Sequence, residues 1–507
     1  MIADWIIPTL IALPMVSATI PLISNRFERV SGWKIAATII FLETTMSVLL
    51  ISAVKNSGKI IYQVGGKALA RPGEFAVGIE LMADEVSSLL IFLTLFVALS
   101  VLILARDLGP ETNIFYSGYL LITGGIMGLL LTHDIFTLFV FLEITGLATY
   151  GLIASNRSGE AAVAALKYLM IATVGASIYV IGIGYIYLAT GTLNMTDLAQ
   201  VLAGNGFIEG SLYGNPLVIM GFGFMSFGLL VKTAIFPLHV WQPSAYENAP
   251  DTVTAFMAAL VSTTSAYALG RIIFTVFTRG FFELNPMAAE IMMILGGGSI
   301  IAGSILAVIQ NKMKRLLAYS SVSQFGMIVA ALGIAAHPAG NSTALTGAII
   351  HLFGHGLIKA GLFTATGLVA VKYNFKYVEE YAGLAKQNVW LAGSIAVLGI
   401  SLVGIPPSIG FLGKWNIVLG AIKSGLWPIA GIIMFSTLLT LLYIAKIIEN
   451  MFFRDSMYQI GAERTSRKLV APIIVLVVIA FLSVLLGFAG EFFQELLKPF
   501  IEEVYLK

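Results

Sequence analysis

The feature that most constrains this chain is a succession of apolar runs, each about as long as a lipid bilayer is thick. A membrane helix needs roughly 20 predominantly apolar residues. Runs that meet this test lie near 5–24, 33–54, 82–105, 113–132, 135–155, 162–190, 213–236, 252–277, 287–309, 316–336, 343–371, 389–423, 426–452 and 469–489. Only 11% of the 507 residues are charged, against about 25% in a soluble domain, so water cannot be the solvent for most of this surface. The reading is an all-α polytopic membrane protein with about fourteen transmembrane helices. The run 389–423 is long and interrupted by Pro406, Pro407 and Gly410; one irregular helix is expected there, since backbone breaks at membrane depth are tolerated beside a cavity. Residues 56–80 are glycine-rich and of mixed charge and read as an extramembrane hairpin or loop, and the tail after Gly490 as short and amphipathic.

Charge in the loops suggests an orientation. Arg26, Arg29, Lys34, Arg106, Arg157, Lys312, Lys314, Arg315, Lys372, Lys376, Lys386, Arg454, Arg464, Arg467 and Lys468 fall in the odd-numbered loops. The positive-inside rule then places those loops in the cytoplasm and both termini outside, with the first even loop (Lys55, Lys59, Lys67, Arg71) dissenting. A net charge of +2 points to no nucleic-acid partner. With no cysteine, disulfides, iron–sulfur ligation and thiolate catalysis have no residues to use in this chain. The first run lacks the basic segment of a cleavable signal and reads as a true span.

Ionisable residues inside the apolar runs carry the functional information, because each costs roughly 2.5–3.5 kcal/mol to insert and such residues line pathways or pair with one another. Among them are Glu143, Lys232, His351, His355, Lys359 and Lys414. Burial favours a neutral amine and a nearby carboxylate favours an ammonium, so a lysine whose partner approaches and retreats can load and release a proton. Histidine relays through either ring nitrogen in the same window. His351, His355 and Lys359 recur every four residues and start on one helix face. Blander readings stand beside these: Glu143 and Lys232 as a static pair, Lys359 snorkelling to the interface, and the two histidines as zinc ligands, although the H-E-x-x-H pattern is absent. Asp84 and Glu85 open the third run and read equally as a cation site or a solvated helix N-terminus. His239 reads as structural or as part of a channel mouth, and Lys314 and Arg315 as interfacial anchors. Lys232 precedes a proline break in LLVKTAIFPLHVW and Lys414 follows one in GIPPSIGFLGKW. Paired interruptions of this kind mark binding sites in repeat-built transporters.

The stretches FVFLEITGLATYGL, KTAIFPLHVWQPSAYENAPDTVTA, KRLLAYSSVSQFGMI, HLFGHGLIKAGLF and GIPPSIGFLGKW together resemble the signatures of the antiporter-like proton-translocating subunits. That family includes the large membrane subunits of respiratory complex I, the A and D subunits of Mrp-type sodium/proton antiporters, and the matching subunits of membrane-bound hydrogenases and sulfur-reducing archaeal complexes. The resemblance spans essentially the whole chain, and its length is most similar to a D-type subunit. It implies two inverted five-helix repeats with broken seventh and twelfth helices: helices 1–3 over 1–111, the first repeat over 112–280, the second over 281–455, and helix 14 with a short tail over 456–507. By resemblance Glu143 pairs with Lys232, His355 is the eleventh-helix histidine, Lys414 faces the exit half-channel, and Asp84 is the aspartate that often opens the third helix. Thr263 stands where many members carry a lysine, so the link between the half-channels is expected to use hydroxyls and water at Ser262, Thr263, Thr264 and Ser265. The function so implied is translocation of H+, with Na+ as a second candidate ion, by a subunit without cofactor, metal or redox centre of its own, in the lipid bilayer among other membrane subunits of a larger complex. The alternative is a free-standing transporter of an organic solute.

Overall fold

The computed structural model describes residues 2–24, 31–67, 77–108, 112–206, 210–455 and 469–506. Arg26, Arg29, Arg71, Arg464, Arg467 and Lys468, used above for orientation, lie outside the described residues. The first membrane run is α1 (Ile2–Ser17) followed by the short α2 (Thr19–Ser24), and the second is α3 (Gly32–Ser57). The expected hairpin is an antiparallel ribbon of β1 (Ile60–Lys67) and β2 (Val77–Ala83), with Ile60 opposite Ala83 and Gln63 opposite Glu80. The first half of the chain continues with α4 (Glu85–Leu108), α5 (Asn113–Leu131), α6 (Ile135–Ala154), α7 (Gly159–Thr190), the short α8 (Met195–Ala203), α9 (Pro216–Thr233), α10 (Trp241–Asn248), α11 (Asp251–Arg271) and α12 (Thr278–Leu284). The second half contains α13 (Pro286–Val308), α14 (Met313–Ala336), α15 (Ser342–Tyr373), α16 (Leu384–Gln387), α17 (Val389–Val403), α18 (Ile409–Lys423), α19 (Trp427–Phe453), α20 (Val470–Leu485) and the amphipathic α21 (Gly490–Leu506).

Among the described residues thirteen helical stretches are long and apolar enough to cross a membrane. The expected single irregular helix over 389–423 is instead two helices of 15 residues, α17 and α18. At 1.5 Å per residue each is about 22 Å long, too short alone for a core of about 30 Å. The break has a local cause. Gly404 adopts φ +89° as the cap of α17, and Pro406 and Pro407 remove two backbone donors where a continuous helix would need them. The side chain of Ser408 then accepts from the Phe411 N–H and starts α18. At Gly410 the two halves touch so closely that a Cβ would collide with the Ser401 carbonyl oxygen.

The seventh run is interrupted as well. α9 ends at Thr233, Ala234 takes φ +64°, and a 3₁₀ turn over Leu238–Val240 leads into α10. At this break the Val231 carbonyl accepts from the Ala234 N–H at 3.1 Å and also from the Trp241 indole N–H at 3.0 Å, and that indole stacks on Tyr168 with ring centroids 4.1 Å apart. The indole thus ties the end of α9 to the half-helix that follows the break.

Burial separates an inner set of helices from an outer one. The most apolar windows of α11 and α14 are 94% buried and that of α15 is 100% buried, whereas α3 and α20 are 28% buried. Helices that are apolar all round belong in the core of a large bundle or against lipid. Nearly every ionisable residue singled out above sits on or against the inner set.

Candidate functional site

The first centre lies where α6 meets the end of α9. The Lys232 ammonium donates to Glu143 Oε1 at 2.8 Å. Lys232 is 4% exposed, while the Glu143 side chain keeps 24%, so the acid reaches the edge of the bundle and the lysine does not. Gly146, one turn beyond Glu143, makes room: a Cβ there would come within 3.4 Å of Lys232 Nζ. His239 sits on the 3₁₀ turn of the break, buried, with its ring centroid 5.5 Å from Phe236 and 6.1 Å from Tyr319, and with Nδ1 unpartnered.

The second centre is the face of α15 that meets α14. His351 Nε2 lies 2.9 Å from Gln324 Oε1. The His355 ring packs 4.5 Å from Phe325, and neither of its nitrogens has a hydrogen-bond partner. Lys359 is fully buried and donates to the Leu317 carbonyl at 2.8 Å and to Ser320 Oγ at 2.5 Å. It therefore does not snorkel; its stem runs across the interior to the neighbouring helix. The three residues share one face, as their spacing requires.

The third centre is the broken 389–423 region. Lys414, on α18 and 5% exposed, donates to the carbonyls of Leu402 at 2.8 Å and Val403 at 2.9 Å. Those are the last carbonyls of α17, and a helix C-terminus carries a partial negative charge of about half an electron. The proline break thus creates an acceptor for the lysine within its own span. Gly413 lets α18 approach α15, since a Cβ there would lie 2.7 Å from His351 Cα, which brings the third centre against the second.

Between the first and second centres the hydroxyl expectation changes in detail. Thr263 donates to the Ala259 carbonyl at 2.7 Å, Thr264 to Leu260 at 3.0 Å and Ser265 to Val261 at 3.1 Å, all within α11. Ser262 is the one of the four whose recorded bond reaches another element, accepting from Gln242 Nε2 at 3.2 Å. Gln242 belongs to the half-helix α10, is fully buried, also contacts the Tyr246 hydroxyl at 3.1 Å, and keeps its Oε1 unpartnered. It lies inside the second of the five signature stretches, where the lysine, the proline break and His239 drew the eye instead. Its signal was a polar residue next to the tryptophan of a short helix buried on most sides.

Asp84 is neither solvated nor free for a cation. It is fully buried, accepts from the Ser87 N–H at 2.8 Å as the cap of α4, and is bridged at 2.6 Å by Arg271 from the end of α11. Arg271 in turn donates to the Tyr267 hydroxyl at 2.6 Å, and a wider π-type turn over Ile272–Phe277 follows it. Nearby, His133 in the loop between α5 and α6 faces Glu80 at 3.9 Å and Thr196 at 3.0 Å. Burial, and after it the Arg271 charge, push His133 down to about 3. Arg271 carried no signal in the sequence because it lies near the end of its apolar run, where an anchor is the ordinary expectation.

On the side of the odd-numbered loops a cavity of about 1260 Å³ opens among Glu247, Asp251, Lys312, Lys314, Arg315 and Tyr319. Lys314 pairs with Asp251 at 2.6 Å and Lys312 with Glu247 at 2.5 Å, while Arg315 lies 3.7 Å from Glu247. Lys314 and Arg315 are thus not plain interfacial anchors; they join the start of α14 to the junction of α10 and α11. Val240, Pro243 and Ser244 of the broken seventh span line the same cavity, so water can approach the break from this side.

The profile of the family described as "NADH:quinone oxidoreductase/Mrp antiporter, TM" matches residues 132–440, which hold every one of these centres. The chain belongs to this family. Among its relatives within the NADH:quinone oxidoreductase/Mrp antiporter family, NADH-quinone oxidoreductase subunit N of Desulforudis audaxviator is 40% identical over 74% of this chain and 73% of its own length. The D subunit of the Na(+)/H(+) antiporter of Bacillus subtilis is 29% identical over 90% of this chain and 88% of its own. The same fold occurs in the membrane-bound sulfane sulfur reductase, an archaeal respiratory membrane complex, with a TM-score of 0.87 and 28% identity over 98% of this chain and 97% of that one.

Proposed function

We propose that the chain is an ion-translocating subunit of a multisubunit membrane complex, moving protons along a mid-membrane axis from Glu143 and Lys232, past Gln242 and Ser262, to His355, His351 and Lys359, and out by Lys414. One observation carries this reading. Buried lysines stand at both interrupted spans, and the partners of Lys414 are helix-end carbonyls that exist only because the helix is broken. Nothing in a static scaffold calls for that arrangement, since a buried charge adds little stability over an apolar side chain. In a translocation path it provides ammonium sites of alternating accessibility, the first reached from the 1260 Å³ cavity and the second from the opposite side.

In this reading Thr263 keeps a supporting role. Its proton is committed to Ala259, but its lone pairs can accept from a water between Ser262 and His355. The two halves, 112–280 and 281–455, act as inverted repeats, which the lysine-and-break combination in each half supports. The odd-numbered loops face the cytoplasm and both termini face outward. Na+ is the ion exchanged for H+ if the host is an antiporter; a sulfur-reducing, hydrogenase or complex I-like host would couple the same axis to electron transfer in other subunits.

The test is ion flux in proteoliposomes holding the purified complex, read with a pH dye and a Na+ dye in parallel. Proton movement that disappears in Glu143→Gln, with the complex still assembled, supports the reading. Movement of an organic solute in place of either ion contradicts it.

A further inference from the structure

Glu43 stands near the middle of α3, outside the segment 132–440 that the family profile covers. It is fully buried, and both carboxyl oxygens lack a hydrogen-bond partner. α3 turns one stripe inward, running through Ala36, Ile40, Glu43, Ser47 and Leu50. Its other faces expose Phe41 at 58% and Leu49 at 58%. The one acid of this helix is thus held on its inward face, where a leucine would pack without cost.

The surroundings suit an acid that carries its proton. Ser47 donates to the Thr44 carbonyl at 2.7 Å, one turn along the same face. Thr94 of α4 and Thr123 of α5, on two of the helices that pack against α3, likewise donate to Leu90 and Tyr119 at 2.8 Å each. Hydroxyls committed in this way offer lone pairs, which accept from a carboxylic acid and repel a carboxylate. An unpaired carboxylate in such a place is far costlier than the neutral acid.

Helix register then places Glu43 relative to the axis. The Gly32 N–H donates to Asn113 Oδ1 at 2.9 Å, and α3 and α5 run in the same direction. Equal rise from that anchor sets Glu43 level with Gly124 and Gly125. A Cβ at Gly125 would lie 2.6 Å from Thr145 Oγ1, a buried hydroxyl without a partner of its own. Thr145 follows Glu143 by two positions on α6. The space at Gly124 is taken by Met15 of α1, which a Cβ there would meet at 2.5 Å, so of this level of α5 it is Gly125 that faces Thr145, and Glu43, Gly125 and Thr145 lie at about one depth in the membrane.

We propose that Glu43 is a second proton site, lateral to the axis, which holds a neutral carboxylic acid and exchanges its proton toward α6 past Gly125 and Thr145. The proposal goes beyond the translocation reading and does not rest on it. Infrared difference spectroscopy on the assembled complex tests it: wild type minus Glu43→Gln should show the carbonyl stretch of one protonated carboxylic acid. That band should shift down on transfer to D₂O, and Thr145→Val should slow the shift severalfold, because a water bridge past Gly125 loses a polar partner. Glu43→Met gives an independent subtraction should the glutamine variant assemble poorly. A missing band means a carboxylate with an unseen partner and overturns the proposal. So does a band that never shifts in D₂O, which marks a trapped structural proton. A wild-type rate in Thr145→Val overturns the route. The spectra need no ion gradient, so a chain that failed to translocate would still show the band and its exchange.

Discussion

Neutralising Glu143 should stop translocation through Lys232, and the geometry sets the scale. At 2.8 Å and an effective dielectric constant of about 20, the attraction between the two charges is about 6 kcal/mol. Losing one partner of a buried pair typically costs about 3–5 kcal/mol, and the smaller range governs here because Glu143 retains 24% exposure and water screens it. An ammonium at Lys232 is then left buried without its charge partner, so the site can no longer be loaded. Glu143→Gln keeps the shape and removes the charge, so proton flux in proteoliposomes should fall to background while native gels still show an intact complex. Lys232→Ala should give the same loss from the other side. Glu143→Asp keeps the charge on a shorter stem and should retain part of the flux. Near-normal flux in both Glu143→Gln and Lys232→Ala, with assembly verified, would falsify the loading role and leave the pair as a static bridge between α6 and α9.

Lys414→Ala should block proton release more severely than Lys359→Ala, because it leaves the Leu402 and Val403 carbonyls without their donor, whereas the Ser320 hydroxyl and Leu317 carbonyl around Lys359 can be bridged by water; equal losses in the two variants contradict this ranking. Gln242→Leu should slow flux more than Thr263→Val, since Gln242 joins α10 to Ser262 on α11 while the Thr263 hydroxyl is bound within its own helix, and the reverse order would return the link to Thr263. With His133 pushed down from 6.5 to about 3, the folded state excludes a proton that the unfolded state takes up. Stability in detergent should therefore be full above about pH 6.5 and decline as pH falls from there towards 3, and His133→Gln should flatten part of that decline; an unchanged melting curve over this range in both proteins contradicts the assignment. Single cysteines at Ser158 and Ser342 have no cysteine background and should label from the cytoplasm and from outside respectively, the opposite pattern overturning the orientation.

The membrane class, the ribbon before α4 and most of the spans were legible in the linear order of residues, because an apolar run of bilayer length has few other stable outcomes in water or lipid. Lys232, Lys359 and Lys414 were conspicuous for the same reason: a charge inside such a run is costly and so informative wherever the helix points. Direction was what the pattern withheld. In a helix apolar on every side, periodicity does not tell lipid from bundle interior. Which way Glu43 of the second run faces was therefore decided only when α1, α4 and α5 packed against α3. Arg271 gained a partner only when Asp84, 187 positions earlier in the chain, came to lie against it. The acceptors of Lys414 were equally hidden, since the carbonyls of Leu402 and Val403 become available only once Gly404 and the two prolines have ended α17. Local sequence decided where charge enters the membrane, because insertion is priced residue by residue. Tertiary packing decided what each charge meets there, because partners at membrane depth come from helices distant in sequence and from backbone groups that only a broken helix sets free.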